Sequence, residues 1–168
     1  MVLGFIGAGH IATAQIIGLC SATEPPERIL VSDIDMEKSA ALASRFVQVE
    51  AMDNNQDVID GSDCLFICVL PQIATEVLSN LRFKPEHLVI SVVAIHPLEE
   101  IRKLVSPARR VVRAVPLPSV ARHIGPVAFY PGEPQAHALF KKMGTPVPAQ
   151  SEKEFIVLSA FTAFIASF

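Results

Sequence analysis

Apolar positions in this chain fall into short continuous runs that alternate with stretches of helical period. A short apolar run between turn residues is typical of a strand buried on both faces of a parallel sheet. The pattern predicts strands over residues 2–6, 28–32, 47–51, 63–70, 88–93, 110–116, 126–130 and 145–147. It predicts helices over residues 11–19, 36–46, 53–59, 73–81, 98–104 and 133–143. This alternation predicts an α/β fold with a doubly wound, mostly parallel sheet of the Rossmann type.

The first predicted strand runs into a turn made of small residues. Residues 7–12 read Gly-Ala-Gly-His-Ile-Ala, the G-x-G-x-x-A spacing of dinucleotide-binding turns. In that motif Gly7 allows the tight turn, Gly9 lets the backbone approach a pyrophosphate, and Ala12 lets the helix pack close to the strand. The free N–H groups and the positive end of the helix dipole then face the phosphates. The alternative is a turn whose glycines serve packing alone.

An acidic residue ends the second predicted strand. Asp33 follows the glycines by a little over twenty residues, where a carboxylate accepts hydrogen bonds from the ribose hydroxyls of a dinucleotide. It would repel the 2′-phosphate of NADPH, which favours NADH, and the first basic residue that follows is Lys38. The alternative is a strand end that is merely solvated.

Right-handed crossovers place the loops after the strands along one crevice, where we expect the cofactor. There His10 would lie beside the phosphates, and Gln72 would reach a ribose. The alternative for His10 is a surface histidine that caps the helix. The loop after the fifth strand contains His96, which is a candidate proton donor. The alternative is a loop histidine that takes no part in the chemistry. No other histidine has partners at ligand spacing, so no metal site is predicted. The predicted cofactor-binding residues are Gly7, Gly9, His10, Ile11, Ala12, Asp33, Val69, Leu70, Pro71, Gln72, Val93 and Ala94.

Composition narrows the classes of protein. Hydrophobic residues make up 51% of the 168 residues and charged residues 18%, which suggests surface meant for another domain or subunit. A net charge of −3 without a basic block argues against a nucleic-acid partner. Cys20, Cys64 and Cys68 lie in apolar contexts and are predicted as buried free thiols. Without a signal peptide or an apolar run of about 18 residues, the sequence favours a cytoplasmic protein with no membrane partner.

The tail is apolar on almost every face from residue 155 to residue 168. Such a helix has to be buried all round, yet the pattern continues to the last residue. We therefore predict residues 1–150 as a nucleotide-binding domain and residues 151–168 as the first helix of an otherwise absent helical domain, or a helix in a subunit interface. The alternative is a helix folded back on the sheet. Ser159 and Thr162 are candidates for contacts with a substrate. The alternative is that their hydroxyls serve helix packing alone.

Four motifs carry a family resemblance: residues 4–12, 66–71, 89–94 and 113–116, with Gly125 and Pro131 behind them. In this order they resemble pyrroline-5-carboxylate reductase over nearly the whole chain. The resemblance implies an enzyme that reduces the C=N bond of a cyclic imino acid with hydride from NAD(P)H, in proline biosynthesis. It also implies a homo-oligomer that associates through the C-terminal helix, and a substrate pocket built largely by helices of a C-terminal dimerisation domain.

The chain departs from that family at several positions. Residues 93–95 read Val-Ala-Ile where the family has Ala-Ala-Gly, residues 115–119 have lost its Asn and Thr, and Ser159 alone survives from its glycine-rich tail motif. The family more often uses NADPH whereas Asp33 favours NADH, so both cofactors stay open. The alternative functions are a related dehydrogenase, a deazaflavin-dependent NADP oxidoreductase with another substrate, and a nucleotide-binding paralogue without catalysis.

Overall fold

The computed structural model describes the backbone of residues 1–165 and the side chains of residues 1–162. Within this range the strands are β1 Leu3–Ile6, β2 Ile29–Ser32, β3 Val49–Ala51, β4 Cys64–Ile67, β5 Leu88–Ser91, β6 Arg110–Val115, β7 Pro126–Tyr130 and β8 Thr145–Pro148. The helices are α1 His10–Cys20, α2 Met36–Arg45, α3 Asn55–Asp60, α4 Pro71–Ser79, α5 Leu98–Leu104, α6 Pro134–Lys141 and α7 Glu152–Ile165, with a 3₁₀ helix at Pro118–Arg122.

All eight strands of the described range form one sheet in the order β3-β2-β1-β4-β5-β6-β7-β8. The chain moves outward from β1 through β2 to β3 and then returns to pair β4 on the other side of β1. Neighbouring strands are parallel except for the antiparallel pair of β6 and β7. The predicted Rossmann-type sheet is confirmed, and its switch point lies between β1 and β4, where such folds bind ligands.

The central strands are buried on both faces, as their continuous apolar runs predict. Phe5 of β1 stacks on Phe66 of β4 with ring centroids 4.5 Å apart, beneath α1. Ile6 and Ile67 belong to the core on the opposite face, beneath α3, α4 and α5. On the first face α1 packs directly against the 3₁₀ helix, because Gly18 has no side chain to hold the two apart.

The structure differs from the sequence prediction in three local details. The strand predicted over residues 63–70 ends at Ile67, and α4 begins at Pro71. The 3₁₀ helix at Pro118–Arg122 is too short for a helical period to predict it. Strand β7 runs against β6 because the ten residues between them, 116–125, are too few for the crossover that a parallel pair needs.

The tail folds back on the sheet at its start. Phe155 of α7 is buried, and the Arg113 guanidinium carbon lies 4.8 Å from the centroid of its ring. Further along, Ile156, Val157 and Phe161 are exposed. Residues 166–168 of the predicted tail helix lie outside the described residues. Among residues 1–165, no helix has the length and apolar character needed to cross a membrane.

Candidate functional site

The turn after β1 needs glycine at its first position. Gly7 has a φ of 99°, in the region that L side chains rarely adopt. A Cβ there would lie 2.7 Å from the carbonyl oxygen of Cys68, in the segment that follows β4. The Gly7 N–H donates to the carbonyl oxygen of Ser32 at 2.8 Å, which ties the turn to the end of β2. Backbone conformation and close packing therefore both require this glycine.

The second glycine stands in a different environment. Gly9 is the N-cap of α1 in an extended conformation, with φ −69° and ψ −176°. Among the described residues, no heavy atom outside its immediate neighbours lies within 4 Å of a Cβ built at Gly9, and no side chain caps the first turn of α1. Packing within the described chain therefore does not require glycine here. An open space beside uncapped N–H groups is what a bound pyrophosphate needs.

Asp33 lies beside this turn and is held by two backbone donors. Its Oδ2 accepts from the Ala8 N–H at 2.6 Å, and its Oδ1 accepts from the Asp35 N–H at 2.9 Å. Asp35 is the N-cap of α2 and also lies 3.6 Å from the Lys38 ammonium. Ile34, between the two aspartates, is fully exposed. The predicted acidic tip of β2 is thus fixed next to the glycine turn.

Within the described part of the chain, two clefts border the turn. The first has a volume of about 490 Å³ and extends from the turn to the end of β2 and the start of α3. Of the predicted cofactor residues, it is lined by Gly7, Gly9, Asp33, Val69 and Leu70. It also includes Asp53, Asn54 and Asn55, which the sequence analysis missed. Their place directly after β3 at the carboxyl edge of the sheet was the available signal.

The second cleft lies on the other side of α1 and has a volume of about 250 Å³. Of the predicted residues, it is lined by Ile11, Val93, Ala94, Ser159 and Thr162. The first cleft includes residues that follow β1 and β4, on both sides of the switch point, and the second lies over the ends of β5 and β6.

Five predicted residues lie outside the linings of both clefts: His10, Ala12, Pro71, Gln72 and His96. His10 is exposed at the first position of α1, and Ala12 is buried, as the close packing of helix on strand requires. Gln72 is exposed in the first turn of α4.

His96 lies between the two clefts without lining either. Its Nε2 is 3.0 Å from the carbonyl oxygen of Pro71, and its Nδ1 is 2.8 Å from a carboxylate oxygen of Glu100. The hydrogen bond to Pro71 and the Glu100 carboxylate raise the pKa of His96 above its ordinary value, although burial and the Arg113 charge oppose them. In this arrangement both ring nitrogens face protein acceptors, so His96 orders the loop after β5.

Among the described residues, Arg113 supplies the charge in the second cleft, and it pairs with the partly exposed Glu152. Arg113 of β6 is 8% exposed and donates from Nη1 to Glu152 Oε1 at 2.8 Å. The same Glu152 oxygen accepts from the Leu98 N–H at 2.7 Å, and this bond, followed by the Arg113 contacts, lowers the Glu152 pKa. The pair therefore fixes the start of α7 to β6 and to the start of α5.

The two hydroxyl groups of α7 are already engaged as donors. The Ser159 hydroxyl donates to the Phe155 carbonyl at 2.7 Å, and the Thr162 hydroxyl donates to the Leu158 carbonyl at 2.8 Å. Their oxygens retain only acceptor capacity toward the second cleft.

The cysteines are free thiols, as predicted. Burial raises the pKa of Cys68, which follows β4, to about 12 and that of Cys20 to about 11, and it also raises the pKa of Cys64. None of the three is poised as a thiolate. Among the residues that the structure describes, no cluster of His, Cys, Asp and Glu could hold a metal ion.

Fold and site together define a Rossmann-type dinucleotide-binding domain with a helix attached at its end. A model of the family described as "NADP oxidoreductase coenzyme F420-dependent" matches residues 2–95, more than half of the chain. The chain belongs to that family.

Relatives with established names support the predicted resemblance. Pyrroline-5-carboxylate reductase of Pseudomonas aeruginosa is 31% identical over 116 residues, which cover 68% of this chain and 42% of the relative. The Haemophilus influenzae enzyme is 32% identical over 117 residues, with the same coverage of 68% and 42%. The chain thus spans less than half the length of these curated relatives. The resemblance to pyrroline-5-carboxylate reductase is confirmed at the level of sequence.

Solved structures show the same fold. Pyrroline-5-carboxylate reductase of Streptococcus pyogenes superposes with a TM-score of 0.84 at 25% identity, over 98% of this chain and 65% of that one. The Plasmodium falciparum enzyme, solved with NADP bound, also gives 0.84 at 18% identity, over 99% of this chain and 64% of that one.

Proposed function

We propose that this chain is the dinucleotide-binding part of an NAD(P)H-dependent reductase of the pyrroline-5-carboxylate type. The observation that carries the proposal is the open space at Gly9, beside the uncapped start of α1 and within the first cleft at the switch point of the sheet. When bound there, the nicotinamide cofactor supplies the hydride that reduces a C=N bond of a cyclic imino acid.

The role of this chain's residues in such a reaction is to bind and orient. N–H groups at the start of α1 hold the pyrophosphate, and Asp33 holds the adenosine ribose. Val93 and Ala94 border the second cleft, where the nicotinamide lies in this proposal. Such alignment lowers the barrier by bringing donor and acceptor together.

The proposal also includes the oligomeric state of the protein and its location in the cell. The exposed side chains of Ile156, Val157 and Phe161 form an apolar face on α7, which suits association with a second copy or with a helical domain. The mostly apolar lining of the second cleft suits the ring of a small imino acid. We propose a homo-oligomer that acts in the cytoplasm.

A second candidate rests on the family that the chain matches. Its description names coenzyme F420, a deazaflavin that exchanges hydride with NADP, and the matched residues 2–95 contain both the glycine turn and Asp33. In that case the second cleft would face a deazaflavin ring instead of an imine. The two candidates share the dinucleotide site and differ in the hydride acceptor.

Titration of the chain with NADPH and with NADH, followed by nicotinamide fluorescence, tests the shared site. Gly9→Val should abolish binding of both, because its side chain fills the space of the pyrophosphate. It should leave the fold intact, since a Cβ at Gly9 meets no described neighbour. Gly132→Val, at a second open glycine remote from the clefts, is the matched control. Unchanged affinity in Gly9→Val would refute the site.

The acceptor is tested separately with pyrroline-5-carboxylate and with oxidised coenzyme F420. Oxidation of NAD(P)H by the first compound supports the main proposal, and oxidation by the second supports the alternative. Cofactor binding without turnover of either compound would favour a non-catalytic paralogue.

A further inference from the structure

The first cleft carries the specificity of the proposed site toward the adenosine end of the cofactor. We propose that it selects NADH over NADPH and that Asp33 is the residue that decides. This inference rests on the proposed dinucleotide site and makes it more specific, because the description of the family that the chain matches names NADP alone as the nicotinamide cofactor.

The Asp33 carboxylate is fixed in position. Two backbone N–H groups, those of Ala8 and Asp35, donate to its two oxygens at 2.6 and 2.9 Å. Two such hydrogen bonds limit the rotation of the carboxylate. Each oxygen retains acceptor capacity, so the carboxylate can accept hydrogen bonds from the hydroxyls of an unmodified ribose.

The residues around Asp33 do not compensate its charge. The charged side chains that line the first cleft are Asp33, Asp53 and Lys38. Lys38 is the only cation among these described residues, and its ammonium lies 3.6 Å from the Asp35 carboxylate. A 2′-phosphate brought to this cleft therefore meets a fixed negative charge, and Lys38 shares its own charge with Asp35 in a half-exposed pair.

The residue directly after Asp33 offers nothing to a phosphate. Ile34 is fully exposed, with a relative accessibility of 102%, at the position between the strand end and the N-cap of α2. An apolar side chain there provides no hydrogen-bond donor, whereas an arginine at such a position would accommodate the 2′-phosphate. Charge and hydrogen bonding thus both disfavour NADPH at the same place.

Dissociation constants for NADH and NADPH, measured by fluorescence titration of the wild-type chain, test the inference. We expect NADH to bind at least about tenfold more tightly, the order expected for one unscreened pair of like charges near the surface. The preference should decrease as salt is added, because ions screen a partly exposed repulsion.

Three variants assign the preference to its cause. Asp33→Asn keeps an oxygen for the Ala8 N–H but removes the charge, and it should raise the affinity for NADPH more than that for NADH. Asp35→Asn keeps a side chain that caps α2 and releases Lys38, so it should shift the preference in the same direction. Ile34→Arg, at a site without packing to lose, should do so as well. Glu76→Gln is the matched control, since it removes one negative charge from an exposed position of α4 outside the cleft.

The outcomes separate this inference from the function on which it rests. If neither nucleotide binds, the proposed function fails. If both bind and NADPH binds as tightly as NADH or more tightly, the site stands and the NADH preference is overturned. If Glu76→Gln shifts the ratio as much as Asp33→Asn, net charge is responsible and the role of Asp33 is overturned. If Asp33→Asn does not fold, Ile34→Arg decides, because an unchanged ratio in that variant counts against the inference.

Discussion

The Nε2 atom of His96 lies 3.0 Å from the carbonyl oxygen of Pro71, so the loop after β5 is bound to the first residue of α4. The Nδ1 atom of the same ring lies 2.8 Å from a carboxylate oxygen of Glu100. A neutral imidazole has one N–H and satisfies one of these acceptors, whereas the imidazolium donates to both. The structure therefore stabilises the protonated form, and the raised pKa of His96 follows from this geometry.

We predict a pH-dependent contribution of His96 to stability. Because the folded-state pKa lies above the ordinary value of 6.5, the stabilisation is full below pH 6.5 and is lost as the pH rises through the folded-state pKa. His96→Gln should remove this component from a plot of melting temperature against pH. His10→Gln, at an exposed position of α1, should retain it. Superimposable profiles for wild type and His96→Gln would contradict the prediction.

Ile95 has a φ of 81°, a conformation that is strained for a β-branched residue. It stands where the family that this chain resembles has glycine, and its side chain is exposed. Ile95→Gly should therefore stabilise the chain by up to about 1 kcal/mol, since relief of roughly 1–2 kcal/mol outweighs the entropy cost of glycine. Urea denaturation measures the difference.

Ile34→Gly provides the matched comparison, since within residues 1–165 the non-glycine residues with positive φ are Ile95 and His123. Ile34 is also an exposed isoleucine that follows a strand, so it loses equally little packing. At Ile34 glycine relieves no strain, so only its entropy cost remains. We expect the free energy of unfolding to fall by roughly 0.5–1 kcal/mol. Equal effects at both positions would show that strain at Ile95 is not the cause.

Removal of Glu152 should be costly. Glu152→Ala leaves the buried Arg113 without its carboxylate and the Leu98 N–H without its acceptor. We expect a loss of about 2–4 kcal/mol, because uncompensated buried groups retain their desolvation penalty. Glu152→Gln keeps an acceptor and should cost less. Glu50→Ala breaks the half-exposed pair with Arg28 and should cost no more than about 1 kcal/mol in the same denaturation experiment.

The Glu152 contribution should also respond to acid. Its folded-state pKa lies below the ordinary value of 4.5, so the stabilisation is present above pH 4.5 and is lost as the pH falls through the folded-state pKa. The Glu152→Gln variant should lack this acid-dependent component, and an unchanged acid profile would contradict the assignment.

Gly18 is required by the contact between α1 and the 3₁₀ helix. A Cβ at this position would lie 2.4 Å from the carbonyl oxygen of Val120, which is backbone and cannot turn away. Despite the higher helix propensity of alanine, Gly18→Ala should destabilise the chain by about 1–3 kcal/mol. Gly132→Ala, at an open glycine, should be neutral or slightly stabilising by comparison. Thermal melting of both variants decides, and a neutral Gly18→Ala would mean that the two helices separate at little cost.

Much of the fold follows from local pattern. Every predicted strand and helix has a counterpart in the structure, because continuous apolar runs and helical periods report burial directly. The reversed direction of β7 depends on the length of a connection, a signal that periodicity does not contain. The sequence motif gives Gly7 and Gly9 different roles, and the structure adds the distances. A Cβ at Gly7 would lie 2.7 Å from a backbone oxygen, whereas a Cβ at Gly9 meets no described neighbour.

For the candidate site too, local sequence predicts some features and only the tertiary structure shows the others. The glycine spacing and the acidic end of β2 predict the phosphate and ribose sides of the proposed site, since these depend on residues close in the chain. Asn54, Asn55 and the Arg113–Glu152 pair come from segments that only the folded sheet brings to the clefts.

The sequence by itself determined the kind of elements, their order and the nucleotide-binding turn, because each is encoded in neighbouring residues. Only the tertiary structure decided which backbone atoms lie against Gly7, where His96 finds its two acceptors and how α7 is fixed to the sheet. These depend on distances between residues far apart in the chain, which are set by the packing of the whole sheet and not by any single segment.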